Sequence, residues 1–204
     1  MQQQPHLFVG KAAPDFTAKA IMPDNSIDHE FNLKHHVRGH RCVLFFYPLD
    51  FTFVCPSEII AFDNRLHEFT ARNTKVVAVS VDSHFSHLAW KNMPYNKGGV
   101  GNIKIPMVAD INKDISRAYN VLCEEGHSLR GTFLIDEHFV LRHLLVNDLA
   151  IGRNVDETLR IIDAHEYHTI NGEVCPAGWQ KGDAGIKQSQ EGISDFLASH
   201  AEKL

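Results

Sequence analysis

The 204-residue sequence predicts an α/β fold, with a central mixed β-sheet flanked by helices and followed by a C-terminal arm. Two observations support this class. Apolar runs rich in β-branched and aromatic residues occur at residues 42–47 and 75–81, and such runs are typical of strands covered on both faces. Elsewhere, apolar residues recur at spacings of three and four, which is the pattern of an amphipathic helix. Strands and helices that alternate in this way pack as a sheet with helices against it.

The first half of the chain predicts a hairpin and then a strand–helix–strand unit. Pro23-Asp24-Asn25-Ser26 consists of turn-forming residues and predicts the turn of a β-hairpin. Residues 42–47 predict a strand, residues 56–72 a helix and residues 75–81 a second strand. Because a crossover helix joins parallel strands, these two strands are expected to be parallel and central.

The second strand is followed by two short helices. Asp82 and Ser83 are the candidate caps of the first, whose apolar residues are Phe85, Leu88 and Ala89. Residues 94–101 predict a loop, and the other helix is expected from about Lys113.

The last elements complete the sheet and lead into the arm. Residues 131–136 and 139–146 predict an antiparallel hairpin, which makes the sheet mixed. Asn154, with Glu157 three residues later, resembles a capping box that opens a helix. The pattern then weakens into an arm with a short final helix at about residues 193–200.

Composition excludes several functional classes. A net charge of -5 and a pI near 6.2 provide no basic surface for nucleic acid. The first residues contain neither a basic leader nor an apolar segment, and no apolar run approaches the length of a membrane span. We therefore expect a cytoplasmic protein that binds neither nucleic acid nor membrane. Four cysteines are too few for a disulfide scaffold in a chain of this length, so their use is expected to be chemical.

One cysteine lies where the first central strand meets its helix. Pro56 is tolerated only in a first helical turn, so Cys55 is either the N-cap or, if Thr52 is the cap, a first-turn residue. Only a thiolate is nucleophilic, and a thiol with a pKa of about 8.5 is only about 3% ionised at neutral pH. A helix N-terminus contributes roughly 0.3 to 2 kcal/mol, less than the roughly 4 kcal/mol that a nucleophilic thiol needs. A nucleophilic cysteine here therefore requires a cation.

That cation must come from a distant segment. No Lys or Arg occurs between Val43 and Asn64. Arg130, at the start of a later predicted strand, is the candidate, although a lone arginine at a strand end is commonly only solvated.

These residues resemble the active-site loop of the peroxiredoxins, P-x-x-x-T-x-x-C, with Pro48, Thr52 and Cys55 at the three defining positions. Three further segments resemble the typical two-cysteine subgroup: residues 10–16, 129–133 and 172–179. The four motifs occur in order across almost the whole chain. The resemblance implies a thioredoxin-like fold, with a peroxidase domain over residues 1–167 and an arm over residues 168–204.

The resemblance also implies roles for the site residues. Cys55 attacks the peroxide and becomes a sulfenic acid, where the alternative is an inert buried cysteine. The hydroxyl of Thr52 faces Cys55 and the peroxide, and Pro48, otherwise a simple strand terminator, shields the thiolate from water. Arg130 holds the thiolate and polarises the peroxide oxygens.

Two charged residues complete the implied network. Glu58 orients the arginines, and Arg153 is the second of them. Glu58 is equally explained as a first-turn acid that the helix dipole favours.

Cys175 lies 120 residues after Cys55 in a segment flanked by Gly and Pro. The resemblance implies that it is the resolving cysteine, which forms a disulfide with Cys55 of another subunit and so makes the protein an obligate homodimer. Five such dimers are expected to form a ring. The disulfide is reduced by thioredoxin or by a dedicated flavoprotein disulfide reductase, and no haem, flavin or metal cofactor is expected.

Three other functions remain open at this point. A thiol–disulfide oxidoreductase on the same fold predicts C-x-x-C, but Thr52 occupies the position of the first cysteine. A cysteine hydrolase needs a histidine base beside Cys55. An oxidation-triggered holdase chaperone is compatible with peroxidase activity.

The remaining cysteines and the histidines are expected to carry no chemistry. Cys42 lies in the predicted central strand, and Cys123 is followed by two glutamates that disfavour a thiolate. The 14 histidines include the pair His84 and His87, which we expect to be solvated.

Overall fold

The computed structural model describes residues 7–204, which form two compact units divided between Arg153 and Asn154. Seven strands of the first unit form one mixed sheet in the order β2-β1-β5-β4-β3-β6-β7. The strands are β1 (Thr17–Ile21), β2 (Ile27–Asn32), β3 (Arg41–Phe46), β4 (Thr74–Ser80), β5 (Met107–Ala109), β6 (Arg130–Ile135) and β7 (Leu141–Asn147). The helices of this unit are α1 (Leu33–His36), α2 (Cys55–Asn64), α3 (Leu66–Thr70), α4 (His84–Lys91), α5 (Asp114–Ala118) and the 3₁₀ helix Tyr95–Lys97. The predicted fold class is confirmed.

β3 is a central strand, and all six of its residues are buried. It pairs in parallel with β4 and antiparallel with β6. A strand covered on both faces favours apolar side chains, which explains the apolar run that follows Arg41 in this strand. The predicted strand–helix–strand unit is confirmed.

Both predicted hairpins are present. β1 and β2 pair antiparallel around a turn in which Asn25 has a φ of 69° and Asp24 accepts a hydrogen bond from the Ser26 amide at 3.0 Å. β6 and β7 also pair antiparallel, and Asp136 accepts the amide of Val140 at 2.8 Å in their turn. Side chains that bond to backbone amides nearby stabilise such turns.

The single helix predicted over residues 56–72 is wrong, because it divides into α2 and α3 at Arg65. The Arg65 amide donates to the Phe62 carbonyl three residues earlier, a tightened turn that ends the first helix. The Arg65 guanidinium donates to Glu68 at 2.6 and 3.0 Å, which holds the start of α3.

α4 begins as predicted but buries a different face. Ser83 is its N-cap and accepts the Ser86 amide at 3.1 Å. Phe85, an expected core residue, is 66% exposed, whereas His84 and His87 are buried at 5% and 0% exposure. The expectation that both histidines are solvated is therefore wrong, since the unit supplies polar partners for His87 inside.

The second unit contains α6 (Val155–Asn171), α7 (Gln190–His200) and the 3₁₀ helix Ala201–Lys203. Asn154 caps α6 by accepting the Asp156 amide at 2.9 Å. The division at residues 167 and 168 stays a prediction. Across residues 7–204, none of the helices combines the length and the apolar character needed to cross a membrane.

Candidate active site

Cys55 is the first residue of α2 and is fully buried. Val54 is the N-cap and makes no side-chain capping bond, so Cys55 lies in the first turn rather than at the N-cap. Thr52 is not the cap either, because its hydroxyl donates to the Leu49 carbonyl at 2.8 Å. The sulfur is thus near the positive end of a helix, where negative charge is stabilised.

The topology explains how a distant arginine reaches this sulfur. β6 runs antiparallel beside β3, with Thr132 opposite Phe45, so the start of β6 lies at the end of β3 where the loop to α2 begins. Arg130 is the first residue of β6. Its Nη1 lies 3.4 Å from Cys55 Sγ, and its Nε donates to the Leu149 carbonyl at 2.8 Å, which fixes the guanidinium plane.

Glu58 lies three residues after Cys55 on α2 and connects two arginines. It accepts Arg130 Nη1 at 2.6 Å. Arg153 donates to it from Nε and Nη2, both at 2.9 Å, and from its backbone amide at 3.0 Å. This forked geometry holds each guanidinium in one orientation.

Arg153 is itself fixed within the first unit. Its Nη1 donates to the carbonyls of Phe46 at 2.8 Å and Gly131 at 3.0 Å, and its guanidinium carbon lies 4.8 Å from the centre of the Phe45 ring. Burial lowers the pKa of Arg153, and the bonds to Glu58 raise it again. Arg153 therefore supports the network by holding Glu58, while Arg130 contacts the Cys55 sulfur.

The charges of Arg130, Arg153 and Glu58 do not balance one another. Two guanidinium groups and one carboxylate give a net charge of +1, and the side chains of Arg130, Arg153 and Glu58 are at most 5% exposed. A buried unpaired charge is costly, so the site favours a further negative group. The Cys55 sulfur lies 3.4 Å from Arg130 Nη1, where such a group is stabilised.

A second buried network, which the sequence analysis missed, fixes the loop before Cys55. Asp50 accepts the Tyr47 hydroxyl at 2.8 Å, and its other oxygen lies 2.8 Å from both Ser86 Oγ and His87 Nδ1. The Asp50 amide donates to Asp82 at 2.9 Å.

This network holds strained backbone in place. Phe51, the next residue, has a φ of 57°, which costs energy for a residue with a side chain and persists only when its surroundings enforce it. The signal of this network in the sequence was a charged residue, Asp50, in a loop of otherwise uncharged residues. Pro48, at the start of the loop, is buried.

Cys175 belongs to the second unit, between α6 and α7. Val174 pairs with Ile186, and Cys175 Sγ donates to the Ala164 carbonyl at 3.5 Å. Burial raises the pKa of this partly exposed thiol. All four cysteines are free thiols in the structure.

The two remaining cysteines differ. Cys42 is fully buried in β3, and burial raises the pKa of its thiol, in agreement with an inert role. Cys123 is partly exposed, and its sulfur lies 3.1 Å from His127 Nδ1.

The hydrolase alternative lacks support in this geometry. Within residues 7–204, the sulfur of Cys55 has Arg130 as its hydrogen-bond partner rather than a histidine. A cation therefore lies beside the thiol at the place where a cysteine hydrolase needs a base.

Comparison with known proteins gives a consistent result. Residues 9–144 match the AhpC/TSA family, and residues 165–199 match the C-terminal domain of 1-Cys peroxiredoxin. Alkyl hydroperoxide reductase C of Helicobacter pylori (strain ATCC 700392 / 26695) is 50% identical over 198 residues, 97% of this chain and 100% of the relative. Peroxiredoxin-1 of Gallus gallus is 50% identical over 94% of this chain and 96% of its own length. The crystal structure of reduced Plasmodium vivax 2-Cys peroxiredoxin matches with a TM-score of 0.92 and 53% identity, over 95% of this chain and 100% of the other.

Proposed function

This chain belongs to the AhpC/TSA family of peroxiredoxins and is a thiol-dependent peroxidase, and on that basis we propose that Cys55 is its nucleophile. The observation that carries the proposal is the buried cluster in which Arg130 contacts both Cys55 Sγ and Glu58. The substrates are hydrogen peroxide and small organic hydroperoxides. The Cys55 thiolate attacks the distal peroxide oxygen, which carries the hydrogen, and an S–O bond forms as the O–O bond breaks. The other oxygen leaves and takes up the proton that the thiol released on ionisation, which gives water or an alcohol, and Cys55 becomes a sulfenic acid.

Arg130 acts on the charge that moves during this step. Negative charge passes from sulfur to the leaving oxygen, and a fixed guanidinium beside the sulfur stabilises both. Glu58 and Arg153 act through Arg130 as positioning residues, since Glu58 accepts from both guanidiniums.

The loop residues orient the peroxide. The hydroxyl hydrogen of Thr52 is directed to the Leu49 carbonyl, which leaves the Thr52 oxygen free to accept the peroxide O–H. Pro48 shields the thiolate from water. A dry site prolongs the life of the thiolate and strengthens its bond to Arg130.

The second half of the cycle uses Cys175. The thiol of Cys175 of the partner subunit condenses with the Cys55 sulfenic acid, which forms a disulfide and releases water. Because burial raises the pKa of the Cys175 thiol, Cys175 stays protonated and does not compete for peroxide. Thioredoxin or a flavoprotein disulfide reductase then reduces the disulfide.

The proposal also covers the domain division, the assembly and the cellular location of the protein. The peroxidase domain spans residues 1–167 and the arm residues 168–204. Homodimers assemble into a decameric ring in the cytoplasm. Holdase activity after oxidation stays a prediction.

A non-reducing gel tests the cycle. Wild type, Cys55→Ser and Cys175→Ser are reduced and then treated with one equivalent of hydrogen peroxide. We expect a disulfide-linked dimer in wild type that is absent from both variants. A wild type that stays monomeric on the gel with its Cys55 thiol still titratable contradicts the assignment.

A further inference from the structure

A tight hairpin in the first unit, residues 122–128, brings three metal-binding side chains together. Leu122 pairs with Ser128, and the Cys123 amide donates to the His127 carbonyl at 3.0 Å. The Gly126 amide donates to the Cys123 carbonyl at 3.0 Å, and Gly126 has a φ of 85°. This is a three-residue loop in which a left-handed glycine closes the turn. Cys123 and His127 therefore face each other across the hairpin.

The distances within this hairpin suit a small cation. Cys123 Sγ lies 3.1 Å from His127 Nδ1, and one ligand atom each from Cys123, Glu125 and His127 lie within 4.8 Å of one another. A tetrahedral zinc ion with sulfur at about 2.3 Å and nitrogen at about 2.0 to 2.1 Å holds those two atoms about 3.6 Å apart. The hairpin has to open by only about half an ångström to reach zinc geometry.

We propose that Cys123, Glu125 and His127 bind one divalent transition-metal ion of the zinc type, with water as the fourth ligand. The thiolate and the carboxylate neutralise the two charges of the ion, and the imidazole binds as a neutral donor. Sulfur and nitrogen donors favour zinc over magnesium or calcium, which prefer oxygen. Cys123 and His127 are partly exposed and Glu125 is exposed, so an ion from solvent reaches all three.

The base of the hairpin is rigid, which lowers the cost of bringing the ligands together. Ser128 is fully buried, and its hydroxyl lies 2.9 Å from that of Ser116. Ser116 in turn donates to Asp110 at 2.7 Å. The Leu129 amide donates to the Val121 carbonyl at 2.7 Å, which extends the pairing beyond the bridge.

The competing explanation is a thiol–imidazole hydrogen bond without metal. Cys123 Sγ also lies 3.0 Å from the His127 carbonyl, and the Lys113 amine is near enough to Gly126 that a Cβ there would meet its nitrogen at 2.6 Å. The positive charge of Lys113 beside the loop opposes a bound cation. A direct binding experiment separates the two explanations.

The experiment uses the full chain with Cys55→Ser and Cys175→Ser, because Cys42 is fully buried and Cys123 is then the accessible cysteine. Zn²⁺ affinity is measured by competition with a chromophoric chelator. Co²⁺ is added separately, because it reports tetrahedral thiolate coordination by a sulfur-to-metal charge-transfer band. Cys123→Ser, Glu125→Gln and His127→Ala are compared with the matched control Glu124→Gln, and circular dichroism checks that each variant is folded.

We expect one Zn²⁺ per chain and a cobalt–thiolate band. Cys123→Ser and His127→Ala should weaken Zn²⁺ binding at least about tenfold and remove the band, and Glu125→Gln should weaken binding while Glu124→Gln leaves it unchanged. The proposal is overturned if Cys123→Ser binds Zn²⁺ as the parent does, or if Co²⁺ gives no thiolate band. Equal losses in Glu124→Gln and Glu125→Gln also overturn it, since they indicate general attraction by acidic groups. None of these outcomes depends on the peroxidase mechanism.

Discussion

Cys42 and Cys55 are both fully buried near the two ends of β3, yet their surroundings differ. Cys42 belongs to the apolar core, where burial raises the pKa of its thiol. Cys55 follows the other end of the strand, with Arg130 Nη1 at 3.4 Å from its sulfur. Burial alone makes a thiol inert, whereas burial beside fixed positive charge favours the thiolate.

Proximity in sequence does not supply that charge. Arg41 precedes Cys42, but its guanidinium donates to the Arg72 carbonyl at 3.1 Å and pairs with Glu137 at 3.6 Å. Arg130 is 75 residues from Cys55 and contacts it because β6 pairs with β3. The sheet topology therefore decides which of the two cysteines lies beside an arginine.

Removal of the negative member of the charged cluster should have the largest effect. In Glu58→Gln, two buried guanidiniums lose their carboxylate, and the free energy of unfolding should fall by about 3 to 5 kcal/mol. Urea denaturation at neutral pH measures this. The matched control is Glu68→Gln, whose ion pair with Arg65 is about 30% exposed on both sides, so solvent screens the pair and its loss should lower stability much less. Equal losses in the two variants would contradict a special role for the buried cluster.

Removal of the Arg130 cation should make Cys55 less reactive towards peroxide and so more like Cys42. In Arg130→Gln, the rate constant for oxidation of Cys55 by hydrogen peroxide should fall by about 10²- to 10³-fold, the usual effect of losing one donor to developing charge. Arg130→Lys should recover part of the rate, because a lysine brings charge without the fork that binds Glu58. Stopped-flow single-turnover kinetics measure both variants.

A surface arginine is the control for this prediction. Arg117 pairs with Asp114 on an exposed face, and Arg117→Gln should oxidise at the wild-type rate. An Arg130→Gln variant as fast as Arg117→Gln would remove Arg130 from the mechanism.

Much of the site could be predicted from the sequence, because it depends on a local helix-start signal and on where charged residues occur along the chain. The position of Cys55 at a helix start follows from Pro56, and the need for a distant cation follows from the absence of Lys and Arg around it. The central strands were recognisable because burial on both faces favours apolar residues, as in β3 after Arg41.

The features that were missed depend on tertiary partners. His87 was expected in solvent because no metal-binding motif in the sequence includes it, but Asp50 lies 2.8 Å from it inside the unit. The break at Arg65 depends on one tightened turn, which propensity does not reveal. Cys123 was dismissed on account of its acidic neighbours, whereas the hairpin brings His127 to its sulfur.

Substitution of Cys42 should affect stability without affecting catalysis. Cys42→Ser places a hydroxyl in the apolar core and should cost about 1 to 3 kcal/mol of unfolding free energy if the hydroxyl finds no partner. Cys42→Ala should cost less, since it adds no polar group. Both variants should keep wild-type peroxide reduction, measured beside Cys55→Ser, which should have none. Loss of activity in a folded Cys42→Ala protein would mean that Cys42 takes part in the reaction.

The smallest effect is the pH dependence of stability that Cys42 contributes. The pKa of Cys42 is raised in the folded state, so the folded protein keeps this proton where the unfolded chain, with a thiol pKa of about 8.5, loses it. Stability from this group is therefore complete below about pH 8.5 and is lost as pH rises above it, by at most about 1.4 kcal/mol per pH unit.

The difference between wild type and Cys42→Ala isolates this contribution up to pH 10, because burial raises the pKa values of Tyr47 and Tyr119 well above 10 and both stay protonated in the folded protein over this range. Urea denaturation at pH 8, 9 and 10 should show wild type losing stability more steeply than Cys42→Ala. Parallel curves would mean that the Cys42 thiol ionises as easily in the fold as in the unfolded chain. In that case burial alone would not explain why one cysteine is inert and the other reactive, and the charge around Cys55 would have to account for the whole difference.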